Sequence, residues 1–315
     1  MTIWILLLLA GVALAWIGGT LFVNGGIGIA KWAKWPAAVI GVTVAAFGTS
    51  SPELMVAVRS AIGGVPEISL GDVLGSNVVN ISLILALVLA FSGMQVQDKG
   101  VGRDWLIALA TPILLTIILC DGWFSRFDAA LLLICFTGWL VCVVRHARRH
   151  AAAHSTEAAE VAEVPQKPRK LIIAELCGGL LLLVGSAQLV VLGGTGVATA
   201  LGWSPFLVGA VVIALATGTP ELATTIVSRV RGHHDVGLGT ILGSNVFNSM
   251  VVAAAAALIK PYPVAFREIW PSLAIGGFTT LVICPGKSGR LNRKRGVALL
   301  LTYAGYLAWN ILGKH

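Results

Sequence analysis

Charged residues are scarce in this sequence. Asp, Glu, Lys and Arg make up 11% of the 315 residues, whereas about a quarter is usual for a soluble domain. Hydrophobic residues make up 57%, and the mean hydropathy is +0.89. Such a chain has too little polar surface to cover a soluble globule, so we expect a lipid bilayer to surround most of it.

The apolar runs also lack the residue combinations that soft-metal sites and nucleophilic enzymes need. All six histidines lie outside these runs, and no histidine or lysine accompanies a serine within them. A nucleophile would therefore lack its base, and we expect no enzyme activity and no cofactor. The five cysteines show no Cys-x-x-Cys spacing and are interpreted as packing residues rather than as metal ligands or disulfides. They are Cys120, Cys135, Cys142, Cys177 and Cys284.

Long apolar runs dominate what is present. A bilayer core of about 30 Å needs roughly 20 helical residues. We place ten such spans, at residues 2–24, 37–62, 69–92, 104–121, 128–145, 171–197, 204–230, 236–259, 265–284 and 295–313. The first span lacks the basic segment that precedes the apolar run of a signal peptide, so we expect it to be retained.

The basic residues predict the orientation of the chain. When alternate loops are assigned to opposite sides of the membrane, one side collects 17 of the 22 Lys and Arg residues, including those of the polar linker 146–170. Lys and Arg accumulate in cytoplasmic loops. We therefore predict a protein of the cell (inner) membrane with a cytoplasmic linker and both termini extracytoplasmic. The net charge of +8 then needs no nucleic acid partner.

The chain also repeats itself at an offset of 168 residues. Residues 70–80 align with 238–248 with eight of eleven positions identical, and Pro52-Glu53-Leu54 aligns with Pro220-Glu221-Leu222. Each half holds five predicted spans, and because five is odd the second copy enters the membrane from the opposite side.

The predicted fold is therefore an all-α integral membrane protein of ten transmembrane helices, built from two inverted five-helix repeats with broken helices at the midplane. The first repeat covers 1–145 with its motif at 41–80. The second covers 171–315 with its motif at 209–248.

Proline interrupts the second and seventh spans directly before a glutamate. Pro52 and Pro220 each remove a backbone hydrogen bond and clash with the preceding turn, so the helices should break there. We expect the first to restart with Ser51 as N-cap and Pro52 at its first position. Glu53 and Glu221 have no Lys or Arg within the spans to pair with. This indicates a cation site; the alternative is a protonated glutamate hydrogen-bonded to a neighbouring helix.

Oxygen is the only ligand type that surrounds these glutamates in the sequence. Two carboxylates among oxygen ligands suit Ca²⁺ or Na⁺ rather than Zn²⁺ or Cu²⁺, and two negative charges match one Ca²⁺ or two Na⁺. The two Gly-Ser-Asn segments also fit close helix packing through small residues. Hydroxyl and amide oxygens are available from Thr49, Ser50, Ser76, Asn77, Asn80, Thr217, Ser244, Asn245 and Asn248.

The segment Gly48-Thr49-Ser50-Ser51-Pro52-Glu53 and the two Gly-Ser-Asn-x-x-Asn segments resemble the alpha repeats of the Ca²⁺/cation antiporter superfamily, above all its prokaryotic Na⁺/Ca²⁺ exchanger branch. The resemblance covers essentially the whole chain. It implies a Ca²⁺ site formed by Glu53, Glu221, Thr49 and Thr217. It also implies Na⁺ positions at Ala46, Ser50, Glu53 and Ser76, at Ala214, Thr217, Glu221 and Ser244, and between Asn80 and Asn248.

Two departures from the family pattern fall on these positions. Gly218 stands where the second repeat usually has a serine, and Asn248 where some relatives have an aspartate. The resemblance implies a monomeric antiporter that exchanges Na⁺ for Ca²⁺ by alternating access, with the first and sixth spans sliding against the core. A Ca²⁺/H⁺ or other monovalent/divalent cation antiporter is the alternative. A cation channel is disfavoured because there are only two copies and they are inverted.

Overall fold

A computed structural model of the chain describes residues 1–32, 46–96, 99–153, 167–230, 234–284, 286 and 289–312. Most of these residues are helical. The α-helices are α1 (Thr2–Trp32), α2 (Ala46–Thr49), α3 (Ser51–Ile62), α4 (Glu67–Val79), α5 (Ala86–Ser92), α6 (Lys99–Leu119), α7 (Arg126–Ala153), α8 (Arg169–Leu201), α9 (Pro205–Val208), α10 (Ala214–Thr217), α11 (Thr219–Val230), α12 (His234–Phe247), α13 (Ala253–Ile259), α14 (Phe266–Val282) and α15 (Arg293–Leu312).

Three π-helical segments and four short strands complete the described secondary structure. The π-helical segments are π1 (Asn80–Leu85), π2 (Gly209–Ile213) and π3 (Asn248–Val252). The strands are β1 (Met94–Gln95), β2 (Trp123–Phe124), β3 (Tyr262–Pro263) and β4 (Arg290–Leu291).

Several helices are long and apolar enough to cross a bilayer, which makes this a multi-pass membrane protein. Within the described residues the six single spans are Thr2–Gly26, Glu67–Ser92, Val101–Leu119, Arg126–Arg145, Arg169–Leu201 and Gly237–Ile259. The bent pair Pro205–Thr217 and Thr219–Ile226 adds a seventh. The ten predicted spans exceed this count and stay a prediction, and residues 37–45 of the second predicted span lie outside the described residues.

Helices α1 and α8 pack against each other through glycines. A Cβ atom added at Gly11 would lie 2.6 Å from the Val190 side chain, and one at Gly25 would lie 2.6 Å from the Leu176 backbone. The partner's number falls as the glycine's number rises, so the two helices are antiparallel. Small residues of this kind let helices approach closely within a bilayer.

The centre of the molecule is formed by the two segments that carry the repeated Gly-Ser-Asn motif. Each has 83% of its apolar window buried. Glycine is required where α4 meets π2, because a Cβ at Gly75 would lie only 2.3 Å from the carbonyl oxygen of Ala210. Both segments turn π-helical at equivalent asparagines, Asn80 and Asn248, since 80 + 168 = 248. Such π-helical interruptions are frequent at functional sites.

Two small antiparallel sheets each pair a strand of the first copy with a strand of the second. Met94 of β1 pairs with Leu291 of β4, and Trp123 of β2 pairs with Pro263 of β3. The offset of 168 residues carries Met94 to Tyr262 of β3 and Trp123 to Leu291 of β4, so it exchanges the two sheets. Helix α6, with 21 residues, is about 30 Å long and separates β1 from β2. The sheets therefore lie at opposite ends of this helix.

The part of α7 that is apolar enough to cross a bilayer ends at Arg145, directly before the predicted linker. Helix α7 continues to Ala153, beyond the predicted end of the fifth span at residue 145. The added residues are alanine, arginine and histidine, and the first two are strong helix formers. Residues 154–166 of the linker lie outside the described residues.

Replacement of Gly75 should separate backbone crowding from helix propensity. We expect Gly75→Ala to lower the free energy of unfolding by about 1–3 kcal/mol because the new methyl group overlaps Ala210. Gly138→Ala is the matched control, because a Cβ there meets nothing within 4 Å, and it should leave stability unchanged or slightly higher. Thermal unfolding in detergent measures both; equal midpoints for the two variants would contradict the close approach.

Candidate cation site

Both predicted helix breaks are present in the structure. Helix α2 ends at Thr49 and α3 begins at Ser51, while α10 ends at Thr217 and α11 begins at Thr219. The second break bends the chain by 43°. The proline that follows each break cannot donate a backbone hydrogen bond to the preceding turn.

The N-cap of α3 differs from the prediction by one residue. Ser50 rather than Ser51 precedes the helix, so Pro52 is its second residue, and the Ser50 side chain makes no capping hydrogen bond. The reason is that the Ser50 hydroxyl donates to Glu221 Oε1 at 3.0 Å. The Ser51 hydroxyl donates to the carbonyl of Phe47 at 3.1 Å. The two serine hydroxyls at this break thus donate hydrogen bonds to the other copy and to the preceding turn.

Hydroxyl groups from both copies surround the carboxylate of Glu221. Its Oε1 accepts from Ser50 Oγ at 3.0 Å and from Ser244 Oγ at 3.2 Å. Ser244 Oγ also lies 3.3 Å from Thr49 Oγ1. Glu221 is completely buried, and its Oε2 has no hydrogen-bond partner among the described residues. Four predicted ligands therefore meet here.

Glu53 is completely buried and has fewer contacts. Neither of its carboxylate oxygens has a hydrogen-bond partner in the described part of the chain. The resemblance groups Glu53 with Ser50 and Ser76, but no hydrogen bond joins them to it. Ser50 donates to the other glutamate instead, and Ser76 donates to Asp72.

Gly218 accounts for part of this difference between the glutamates. Because 50 + 168 = 218, the bond from Ser50 to Glu221 would correspond to one from residue 218 to Glu53, and glycine has no hydroxyl. The neighbouring Thr219 does not replace it, since its hydroxyl donates to the carbonyl of Ala216 at 2.7 Å.

Asp72 is a third buried carboxylate that the sequence analysis did not include in the site. It is completely buried, and its Oδ1 accepts from Thr217 Oγ1 at 3.0 Å and from Ser76 Oγ at 3.2 Å. The structure therefore places a third carboxylate beside the two that the sequence predicted. Two signals could have found it: an acidic residue in an apolar span without a basic partner, and its place four residues before Ser76 on one helix face. The repeat pairs it with Thr240, which concealed it.

Asparagines of the two copies join the repeated segments. Asn80 Nδ2 donates to Asn245 Oδ1 at 2.9 Å, and Asn77 Nδ2 donates to Ser249 Oγ at 2.7 Å. Asn248 is completely buried, and neither its oxygen nor its nitrogen has a partner among the described residues. No hydrogen bond joins Asn80 to Asn248, the two residues predicted to flank a middle position.

The two predicted alanine ligands lie at the helices that precede the breaks. Ala46 is the first residue of α2. Ala214 is the first residue of α10, and its carbonyl accepts a hydrogen bond from the Gly218 amide at 3.2 Å.

Glu53, Asp72 and Glu221, here named the carboxylate cluster, take part in neither of the two ion pairs found among the described residues. Those pairs are Arg103–Asp104 and Lys167–Glu175. A buried carboxylate without a counter-charge is costly. Within the described residues, no three His, Cys, Asp or Glu side chains converge on one metal position. The cluster can therefore attract cations, although its three acids are not arranged as one three-carboxylate metal site.

Comparison with known proteins decides the family. A family model described as sodium/calcium exchanger protein matches residues 3–145 and 171–312. The chain belongs to the sodium/calcium exchanger family. This confirms the resemblance read from the sequence motifs.

Relatives in this family cover nearly the whole chain. The putative antiporter CaxA of Alkalimonas amylolytica is 32% identical over 90% of this chain and 91% of its own length. The inner membrane protein YrbG of Escherichia coli is 31% identical over 87% and 85%. The sodium/calcium exchanger MaX1 of Methanosarcina acetivorans is 25% identical over 97% and 98%.

A solved structure of the sodium-calcium exchanger NCX_Mj shares the fold. It is 28% identical, with a TM-score of 0.67, and the match covers 98% of both chains. Family and fold are those of membrane transporters rather than enzymes.

The carboxylate cluster leads to a binding prediction. A ligand at 100 times its Kd stabilises a protein by about 2.7 kcal/mol, so Ca²⁺ should raise the thermal unfolding midpoint of the purified protein. We expect Glu53→Gln and Glu221→Gln each to remove this Ca²⁺-dependent shift. Glu268→Gln is the control, because Glu268 contacts Ser204 outside the cluster. A full Ca²⁺ shift in either cluster variant would contradict the assignment.

Proposed function

We propose that the protein is a secondary active antiporter that exchanges Na⁺ for Ca²⁺ across the membrane by alternating access. The observation that carries this proposal is the pair of buried glutamates, Glu53 and Glu221, which follow two helix breaks in opposite copies of the repeat. Their charge has no basic partner in the described ion pairs. A transported cation can neutralise this charge and, unlike the side chain of a lysine or arginine, can then dissociate.

Each cation would use carboxylate, hydroxyl and carbonyl oxygens around these breaks. The proposed Ca²⁺ ligands are Glu53, Glu221, Thr49 and Thr217. The proposed Na⁺ ligands are Ala46, Ser50, Glu53, Ser76, Asn80, Ala214, Thr217, Glu221, Ser244 and Asn248. The contacts of Ser50, Ser244 and Thr49 around Glu221 support this set, as do the orphan oxygens of Glu53, Asn80 and Asn248. Ca²⁺ prefers such all-oxygen sites.

The proposed architecture is two inverted five-helix repeats, residues 1–145 and 171–315, in ten transmembrane helices. The exchange of the two small sheets by the 168-residue offset supports it, because an inversion places equivalent loops on opposite sides. The cytoplasmic linker 146–170 and the extracytoplasmic termini complete this topology in an inner membrane monomer. Helices α1 and α8 are the proposed sliding element, which moves against the rest of the protein. Their antiparallel packing through glycines supports their movement as one unit.

The choice of counter-ion depends on the proposed Na⁺ positions, and Gly218 removes a hydroxyl at one of them. The names of the relatives, sodium/calcium exchanger and putative antiporter, support cation antiport. A Ca²⁺/H⁺ antiporter is the second candidate, and the missing hydroxyl is the observation that favours it. A conductive cation channel is the third.

The transport test uses proteoliposomes with an imposed gradient. We expect ⁴⁵Ca²⁺ uptake when Na⁺ is higher inside than outside, and no uptake by Glu53→Gln or Glu221→Gln, because each loses a carboxylate ligand. Uptake driven only by a pH gradient would replace Na⁺ by H⁺ in the proposal. Conductive Ca²⁺ flux without any counter-ion would contradict antiport.

Restoring the hydroxyl at position 218 tests the Na⁺ side of the proposal. Because Ser50 donates to Glu221, the repeat predicts that Gly218→Ser offers a hydroxyl to Glu53. It should lower the Na⁺ concentration for half-maximal exchange roughly 2- to 10-fold, the value of one hydrogen bond. Gly218→Ala carries the same Cβ, which would lie 3.1 Å from the Ala214 carbonyl oxygen, and so controls for crowding. Equal Na⁺ dependence of the two variants would show that a hydroxyl at position 218 does not contribute to Na⁺ binding.

A further inference from the structure

Asp72 breaks the equivalence of the two copies. The same position in the second copy is Thr240, so the carboxylate occurs only once. Thr49 and Ser244 at one break correspond to Thr217 and Ser76 at the other. In the first pair the hydroxyl oxygens lie 3.3 Å from each other. In the second pair Ser76 donates to Asp72, and Thr217 Oγ1 lies within donating distance of both Asp72 Oδ1, at 3.0 Å, and the Ile213 carbonyl oxygen, at 3.1 Å. The acid therefore occupies the interior beside the break that lacks the serine at position 218.

The free oxygen of Asp72 is the feature that points to a ligand. The side chain is completely buried, and its Oδ2 has no partner among the described residues. Its Oδ1 is already engaged by two hydroxyls. A buried carboxylate oxygen that accepts nothing is costly unless a cation or donor reaches it.

The hydroxyls that hold Asp72 can serve a cation at the same time. A serine or threonine hydroxyl has one proton and two lone pairs. Thr217 and Ser76 can therefore each donate to Asp72 Oδ1 and still offer an oxygen to an ion beside it. This set has one negative charge, whereas Ca²⁺ commonly takes six to eight oxygens and more than one carboxylate. The composition favours a monovalent ion.

Geometry separates this position from the one between the glutamates. Among the described residues, Glu53, Asp72 and Glu221 do not form a group of three acids placed to hold one metal ion, so we place the ion at Asp72 apart from an ion between the glutamates. Its charge has to be balanced at a neighbouring point.

We propose that Asp72 binds a further Na⁺ ion through Oδ2, with the hydroxyl oxygens of Thr217 and Ser76 as neighbouring ligands. The proposal rests on the proposed cation site and extends it to three carboxylates. Asp72 supplies a negative charge beside the second helix break, where Gly218 lacks the hydroxyl that Ser50 provides at the first. The site then carries three negative charges, which one Ca²⁺ cannot neutralise alone.

The test is equilibrium binding of ²²Na⁺ to the purified full-length protein in detergent, which needs no transport. Asp72→Asn keeps an oxygen for Thr217 and Ser76 but loses the charge. We expect this variant to bind about one Na⁺ fewer per chain, the ion that a single carboxylate charge balances. The same charge change at the exposed Asp121, as Asp121→Asn, should leave Na⁺ binding unchanged.

A second variant protects the test against misfolding. Asp72→Thr places in the first copy the residue that is buried at the equivalent position of the second, Thr240. It should also bind about one Na⁺ fewer, and both variants should keep their Ca²⁺-dependent thermal shift because Glu53 and Glu221 remain.

Two results would overturn the proposal: Na⁺ binding by both Asp72 variants equal to that of the unsubstituted chain, or no Na⁺ binding by the unsubstituted chain. Failure of the proposed antiport has a different signature, namely absence of gradient-driven ⁴⁵Ca²⁺ uptake while the Asp72-dependent Na⁺ binding persists.

Discussion

The structure depends on one electrostatic constraint: three carboxylates are buried in an apolar protein. None of them takes part in the two ion pairs found among the described residues. Fixed positive charges would satisfy Glu53, Asp72 and Glu221 permanently and leave nothing to transport. Hydroxyls hold Glu221 and Asp72 in place without neutralising them. The helix breaks bring these groups to the centre, and glycines such as Gly75 let the surrounding helices approach closely enough to exclude lipid from it.

The two copies of the repeat divide this task unequally. Glu221 receives hydroxyls from Ser50 and Ser244, whereas Glu53 receives none, because residue 218 is glycine and Ser76 turns to Asp72. An inverted repeat gives both sides of the membrane similar access to a central site. Differences between the copies can then distinguish the ions, because each difference changes the number of charges or oxygens near one glutamate.

Much of the framework could be predicted because it follows from local rules. Pro52 and Pro220, each followed by a glutamate, predicted the two helix breaks, whereas Pro112 and Pro271 lie inside continuous helices. The 168-residue offset identifies Glu53 and Glu221 as equivalents. The Ser50 hydroxyl makes no capping bond because it donates to Glu221 of the other copy, which no local rule can foresee. Asp72 was missed because the repeat comparison directs attention to positions that match, although its lone charge in an apolar span was a local signal; its partner Thr217 is 145 residues away. The apolar span of α7 ends at Arg145, whereas the helix itself continues to Ala153, because hydropathy falls before helix propensity does.

The central claim, that Glu53 and Glu221 hold a divalent cargo ion between them, is tested most directly by diffraction. Crystals soaked in Sr²⁺, a heavier analogue of Ca²⁺, can be measured at a wavelength where strontium scatters anomalously. The account predicts an anomalous peak between the two carboxylates that disappears in crystals of Glu221→Gln. A peak at another location, or one that persists unchanged in that variant, would contradict it.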